Sequence, residues 1–318
     1  MPIASTFAHS TPGRVTVRTR DGVELAVREY GPRDAELTVV LLHGHCSRGE
    51  LWTRIRDALL RQYPRARVVC YDHRGHGDSA TAPWRTYTLE QLGHDLRDVL
   101  DARVPTGPVV LVGHSMGGMA ALTYISQHPR EIGTRITGVG LIATTASGLA
   151  DTGIGRLLRH PVISLFHAAV RYAPTLMHHA KLLAGKAFAP IVRTAQSGER
   201  SIDPRMLTLA NAVHNPTPIV TMSAYLRAFT SYDRSDALAA LSAIPTLILC
   251  GTADLMTPPA HSIAMATAID YADLVLIDGA GHSVIQEQPA RVAAALTRLI
   301  SHATPARTTA RPRLALAS

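Results

Sequence analysis

"PVVLVGHSMGGMAALTYI", residues 108–125, decides how the rest of the chain is read. Its opening "PVVLV" is apolar on both faces of an extended chain, as a strand covered on two sides must be. Its closing "MAALTYI" favours a helix. Between them Gly113-His114-Ser115-Met116-Gly117 puts one serine between glycines two before and two after. A turn this tight from strand to helix strains its central residue, and glycines at those positions keep Cβ atoms out of the crowded gap. The hydroxyl of Ser115 then stands clear of the sheet edge, at the positive end of the helix dipole, as a candidate nucleophile.

Outward from this turn the same rhythm recurs. Short β-branched runs occupy 38–44, 67–75, 136–144, 246–251 and 272–279, with helix-like segments at 51–63, 88–102, 116–129 and 289–303. Alternating strand and helix predicts an α/β fold built on a parallel sheet. At the start, residues 14–31 alternate apolar and polar around Asp21-Gly22, which predicts an antiparallel hairpin. The rhythm breaks from 149 to 236, where helical periodicity is interrupted by prolines and no strand is evident. We therefore expect a core over 1–148 and 237–302, a helical cap over 149–236, and a mobile basic tail over 303–318.

Composition sets limits on function. The chain has 318 residues, 46% hydrophobic and 5% aromatic, and a formal charge of +8. The cap stretch 149–236 holds ten Lys and Arg against five Asp and Glu. The arginines are otherwise scattered, and no helix-turn-helix, zinc-finger or RNA-binding signature accompanies them, so no nucleic-acid partner is expected. Cys46, Cys70 and Cys250 are odd in number and lie in or beside apolar runs, which fits reduced thiols in a cytoplasmic protein. The start shows no charged-then-apolar leader, and no apolar run reaches the ~18 residues of a membrane span, though peripheral membrane contact stays open.

A serine nucleophile at neutral pH needs a base, and the base needs an acid to fix its tautomer. "LILCGTADLMTPP" places Asp254 just past one strand, and "LVLIDGAGHSVIQEQP" places His282 past the next. Asp278 competes for the acid role, but its place four residues before His282 suits bracing that loop. Donors for a developing oxyanion are expected from the backbone amides of Met116, next to the nucleophile, and His45, in "LLHGHCSRGELW". The His45 imidazole is a candidate for the acyl pocket. Asp72 and Arg74 in "YDHRGHGDSA" are expected to brace loops by ion pairing. His43, His45, Cys46 and the pair His178-His179 lack the ligand spacing of a catalytic metal site, so neither metal nor cofactor is expected.

With these motifs in order, the chain resembles the α/β-hydrolase fold superfamily from about residue 15 to 302, especially cap-bearing esterases, monoacylglycerol-lipase-like enzymes and cofactor-free haloperoxidase-like hydrolases. The resemblance implies a mainly parallel eight-stranded sheet flanked by helices, with the cap inserted after the sixth strand. It also implies a Ser115, Asp254, His282 triad acting on a small-molecule ester with an apolar or lipid-like acyl group. Amide, thioester or C–C cleavage, transfer to alcohol or peroxide, and a non-catalytic binding role are the alternatives. In the cap, Leu157, Leu158, Val162, Leu165 and Phe166, with Leu176 and Met177, are candidates for an apolar face over Ser115, or for packing the cap onto the core.

Overall fold

The computed structural model describes residues 13–197 and 215–304. Its eight strands form one sheet in the order β1-β2-β4-β3-β5-β6-β7-β8. They are β1 (Gly13–Arg18), β2 (Glu24–Tyr30), β3 (Thr38–Leu42), β4 (Arg67–Tyr71), β5 (Val109–His114), β6 (Ile136–Ile142), β7 (Thr246–Gly251) and β8 (Asp273–Ile277). β1 and β2 form the expected hairpin, β2 runs antiparallel to β4, and every remaining pair is parallel.

Strand β5 shows why the sheet must be covered twice. Val109 and Leu111 join one apolar cluster, while Val110 and Val112, pointing the other way, join a second. The first cluster takes in Leu96, Val99 and Leu100 of α2 (Leu89–Arg103) and Ala121, Leu122 and Ile125 of α3 (Met116–Gln127). The second takes in Ile55 and Leu59 of α1 (Thr53–Gln62) and the Val292–Ile300 face of the C-terminal helix Pro289–Ala303. β8 departs from the expectation of a strand buried on both faces, since Leu274 and Leu276 stay 36% and 38% exposed. As the edge strand it has a paired neighbour only in β7.

Between β6 and β7 the described chain is helical: α4 (Pro161–Tyr172), α5 (Pro174–Ser197) and α6 (Ile219–Ala228). It leaves and returns side by side, Ser147 bridging Asp233 and the Arg234 amide donating to the Ala146 carbonyl at 2.8 Å. α6 lies on the sheet's helical layer, its Ala224 and Tyr225 clustering with Tyr87, Leu89, Met116 and Met119. At the other end, Ala303 is the buried last residue of its helix rather than the first of a tail, and residues 305–318 lie outside the described residues.

Candidate active site

β5 ends at His114 and α3 starts at Met116, leaving Ser115 alone at the turn with φ 54° and ψ −122°. A side chain in this region costs about 1–3 kcal/mol, so the surroundings must impose it. The Ser115 amide donates to the Ile142 carbonyl at 2.9 Å, while its own carbonyl accepts from the Gly118 amide at 2.9 Å and the Thr144 hydroxyl at 2.8 Å. Both flanking glycines are sterically required. A Cβ on Gly117 would stand 2.2 Å from the Leu42 carbonyl oxygen, and one on Gly113 would stand 2.4 Å from the Gly118 nitrogen.

The loops after β7 and β8 carry the acid and the base to the same edge of the sheet. They are tied together by the Thr252 amide donating to Ile277 at 3.0 Å and the Ala253 amide donating to Ala280 at 2.9 Å. Asp254, 2% exposed, accepts at Oδ1 from the amides of Met256 and Thr257, at 2.8 and 3.0 Å. Its Oδ2 accepts from the Thr257 hydroxyl at 2.8 Å and from His282 Nδ1 at 2.8 Å. Burial alone would raise this carboxyl, but the His282 ring and the Thr257 hydrogen bonds outweigh it and hold the group below the ordinary carboxylate range. With Nδ1–H given to Asp254, His282 Nε2 is left to accept from Ser115 Oγ, 3.0 Å away. Asp278 is exposed and accepts from the Thr252 hydroxyl at 3.2 Å, so it braces the loop.

His114, inside the turn, has a part that its sequence position did not announce. Its Nε2–H donates to the main-chain carbonyl of His282 at 2.8 Å, and the two rings lie 5.1 Å apart. Burial first, then the neighbouring His282, pushes its pKa down to about 3, so it stays neutral beside the His282 ring. Thr257 was also missed. Its signal was present, a threonine three residues after an aspartate, the spacing at which both its amide and its hydroxyl reach back to the carboxylate.

The loop after β3 approaches from the opposite side. A Cβ on Gly44 would stand 3.1 Å from Ser115 Cβ, so the Gly44–His45 backbone lies against the serine. Met116 supplies the first amide of α3, which no carbonyl of its own helix can accept. His43, His73 and His76 scaffold this region. His43 Nε2 accepts from the His73 amide at 2.9 Å, its Nδ1–H donates to the Gly44 carbonyl at 2.8 Å, and His76 Nε2 accepts from the Cys46 amide at 3.2 Å. Among the described residues, no three His, Cys, Asp or Glu side chains cluster as metal ligands. Arg74 and Asp72 do brace loops, each with partners far away in sequence: Arg74 with buried Asp95 at 2.6 Å and Asp21 at 2.8 Å, Asp72 with Arg28 at 3.1 Å.

The remaining candidates in the insertion divide. Leu158 packs against the cluster that contains Met116, Met119, Leu149 and Phe229. Phe166 and Met177 are half-buried. Leu157, Val162, Leu165 and Leu176 are 58–71% exposed, so that side of the insertion faces solvent. His178 and His179 are exposed on α5.

Comparison with known proteins places the chain in a family with this fold. The family described as alpha/beta hydrolase fold matches residues 38–289. A thermophilic esterase from Thermogutta terrifontis is similar at 25% identity and a TM-score of 0.69, covering 92% of this chain and 99% of that one. The enol-lactonase from Burkholderia xenovorans is similar at 26% identity and a TM-score of 0.67, covering 90% and 100%. A proline iminopeptidase from Pestalotiopsis fici is 27% identical over 84% of this chain and 92% of the relative.

Proposed function

The chain belongs to the α/β-hydrolase fold family, and on that premise we propose that it is a serine hydrolase that cleaves a carboxylic ester through an acyl-enzyme. The observation that carries this reading is the unbroken line from Ser115 Oγ through His282 to the buried Asp254 carboxylate. Ser115 Oγ attacks the ester carbonyl while His282 Nε2 takes its proton. Asp254 keeps Nδ1–H oriented and offsets the imidazolium charge. The amides of His45 and Met116 face the oxygen that becomes negative. His282 then returns the proton to the departing alkoxide, and water, activated by the same imidazole, releases the acid and restores Ser115.

The helical insertion acts in this reading as a cap. Leu158 with Met119, Leu149 and Phe229 forms an apolar wall beside Met116, which supports an aliphatic acyl chain next to the reacting carbonyl. Three free cysteines, two of them buried, support a reducing cytoplasmic setting. Among the described residues, no helix is long and apolar enough to cross a membrane.

The similarity to an iminopeptidase makes the bond type the point to test. Purified protein should hydrolyse p-nitrophenyl acetate and butyrate, and Ser115→Ala should lower kcat by about 10⁴-fold or more. A panel of matched amide, thioester and β-diketone substrates, with products identified by mass, should show the ester turned over fastest. Turnover that survives Ser115→Ala sinks the mechanism, and faster cleavage of another bond class sinks the ester assignment.

A further inference from the structure

Helix α5 is turned inside out. Lys181 is 9% exposed, its ammonium donating to the carbonyls of Asn215 at 2.9 Å and Thr217 at 2.5 Å on the segment leading into α6, and Gly185 is buried one turn on. Leu176 and Leu183 are instead 69% and 67% exposed. At 3.6 residues per turn, Leu176, His179, Leu183 and Lys186 fall within about 80° of arc, and Lys181 and Gly185 lie on the opposite side. α4 repeats the pattern. Val162, Leu165 and Tyr172, 60%, 71% and 83% exposed, share an arc of similar width. His167, which hydrogen-bonds Ser223 of α6 at 2.7 Å, and buried Val170 point away from that arc. Ala173 alone joins the two helices and both pack on α6, so the two exposed stripes look away from α6 together.

Single exposed leucines are ordinary, but a stripe continued over adjacent helices marks an interaction surface. The charges around it say which kind. From Thr152 to Ser197 the chain has no Asp or Glu and six Lys and Arg, of which Arg156, Arg171 and Lys186 are exposed. A second copy presenting the same face would set like charges against each other, which disfavours self-pairing. An anionic bilayer meets both features, with acyl chains for the apolar stripe and phosphates for the cations. The face also continues toward the loop that carries Asp254. Leu157, 58% exposed, lies on the short helix Gly153–Arg159, at whose start a Cβ on Gly153 would stand 2.7 Å from the Leu255 carbonyl oxygen. Leu255 directly follows Asp254 and is itself 36% exposed.

We propose that the outward face of α4 and α5 docks on the surface of an anionic phospholipid bilayer and so brings the loop carrying Asp254 to the membrane. The leucines, Val162 and Tyr172 enter the boundary between headgroups and acyl chains, while Arg156, Arg171 and Lys186 meet the phosphates. Docking needs no turnover, so it stands apart from the esterase reading.

Co-sedimentation of the full chain with lipid vesicles tests this. Vesicles of one-third phosphatidylglycerol in phosphatidylcholine should bind wild-type protein about tenfold more tightly than phosphatidylcholine alone, and about 0.5 M NaCl should narrow the gap. Tyr172→Glu combined with Leu183→Glu, both at outward positions, should weaken binding to the phosphatidylglycerol vesicles by about tenfold or more. The melting temperature and p-nitrophenyl acetate hydrolysis of this double variant should match wild type. No binding by wild type, or binding that the double variant retains, overturns the proposal. So does a concentration-dependent dimer in lipid-free buffer that the double variant abolishes, because the face then belongs to a second copy. If the double variant fails to fold, hydrogen exchange on wild-type protein decides: vesicles should protect residues 157–186, and no protection there overturns the proposal. Vesicle binding as stated without hydrolysis of any ester sinks the esterase reading alone.

Discussion

Ser115 and His114 are neighbours with opposite dependence on their surroundings: one is held in a strained turn by others, and the other does the holding. The Nε2–H of His114 is the only described side-chain donor to the His282 carbonyl, so in the proposed mechanism it positions the His282 loop without touching substrate. His114→Leu removes that bond and leaves the carbonyl without it. One hydrogen bond of ~1 kcal/mol corresponds to about fivefold in rate. We expect kcat to fall five- to tenfold with KM within about twofold, and His114→Gln, which keeps an N–H donor, to recover part of the loss. Steady-state kinetics with p-nitrophenyl butyrate reads both values. A rise in KM at constant kcat, or equal losses in the two variants, contradicts a positioning role and points to general loosening of the turn.

At the scale of elements, much of this molecule could be read from local pattern. β5 and α3 were legible because apolar runs and flanking glycines are adjacent in sequence, and those glycines fill positions where a Cβ would overlap backbone. Asp254 and His282 were legible because each follows an apolar strand by a few residues. What escaped depends on partners that only the fold supplies. Nothing near Arg74 names Asp21, 53 residues earlier, or Asp95, 21 later, as its partners. The exposed face of β8 follows from its place at the sheet edge, and a run such as "ADLVLIDG" does not encode strand order. In the insertion, periodicity announces helices but not which face is covered, so half-buried Phe166 and exposed Val162 look alike in sequence.

The whole molecule carries an unusual load of buried neutral imidazoles. Burial, before any other influence, pushes His43, His45, His73, His76 and His114 below the ordinary histidine value, to about 3 for His45 and His114. Below about pH 6.5 the unfolded chain binds protons at these sites that the native chain refuses. Stability from these groups is therefore fully present above pH 6.5 and is lost as the pH falls toward their native values. Each contributes up to ~1.4 kcal/mol per pH unit across that window. Urea unfolding at pH 7.5, 6.5, 5.5 and 4.5 should show a midpoint that declines from about pH 6.5 downward. A midpoint that stays flat from 7.5 to 4.5 means the imidazoles are not held neutral.

The central claim is that one serine, raised on a strained turn and deprotonated by His282, forms a covalent bond with the acyl group. A fluorophosphonate reacts only with such an activated hydroxyl, so intact-protein mass spectrometry with peptide mapping tests the claim most directly. The account predicts one adduct per chain, on Ser115, absent in Ser115→Ala and formed far more slowly in His282→Ala. No adduct on wild-type protein, or an adduct that persists in Ser115→Ala, would contradict it.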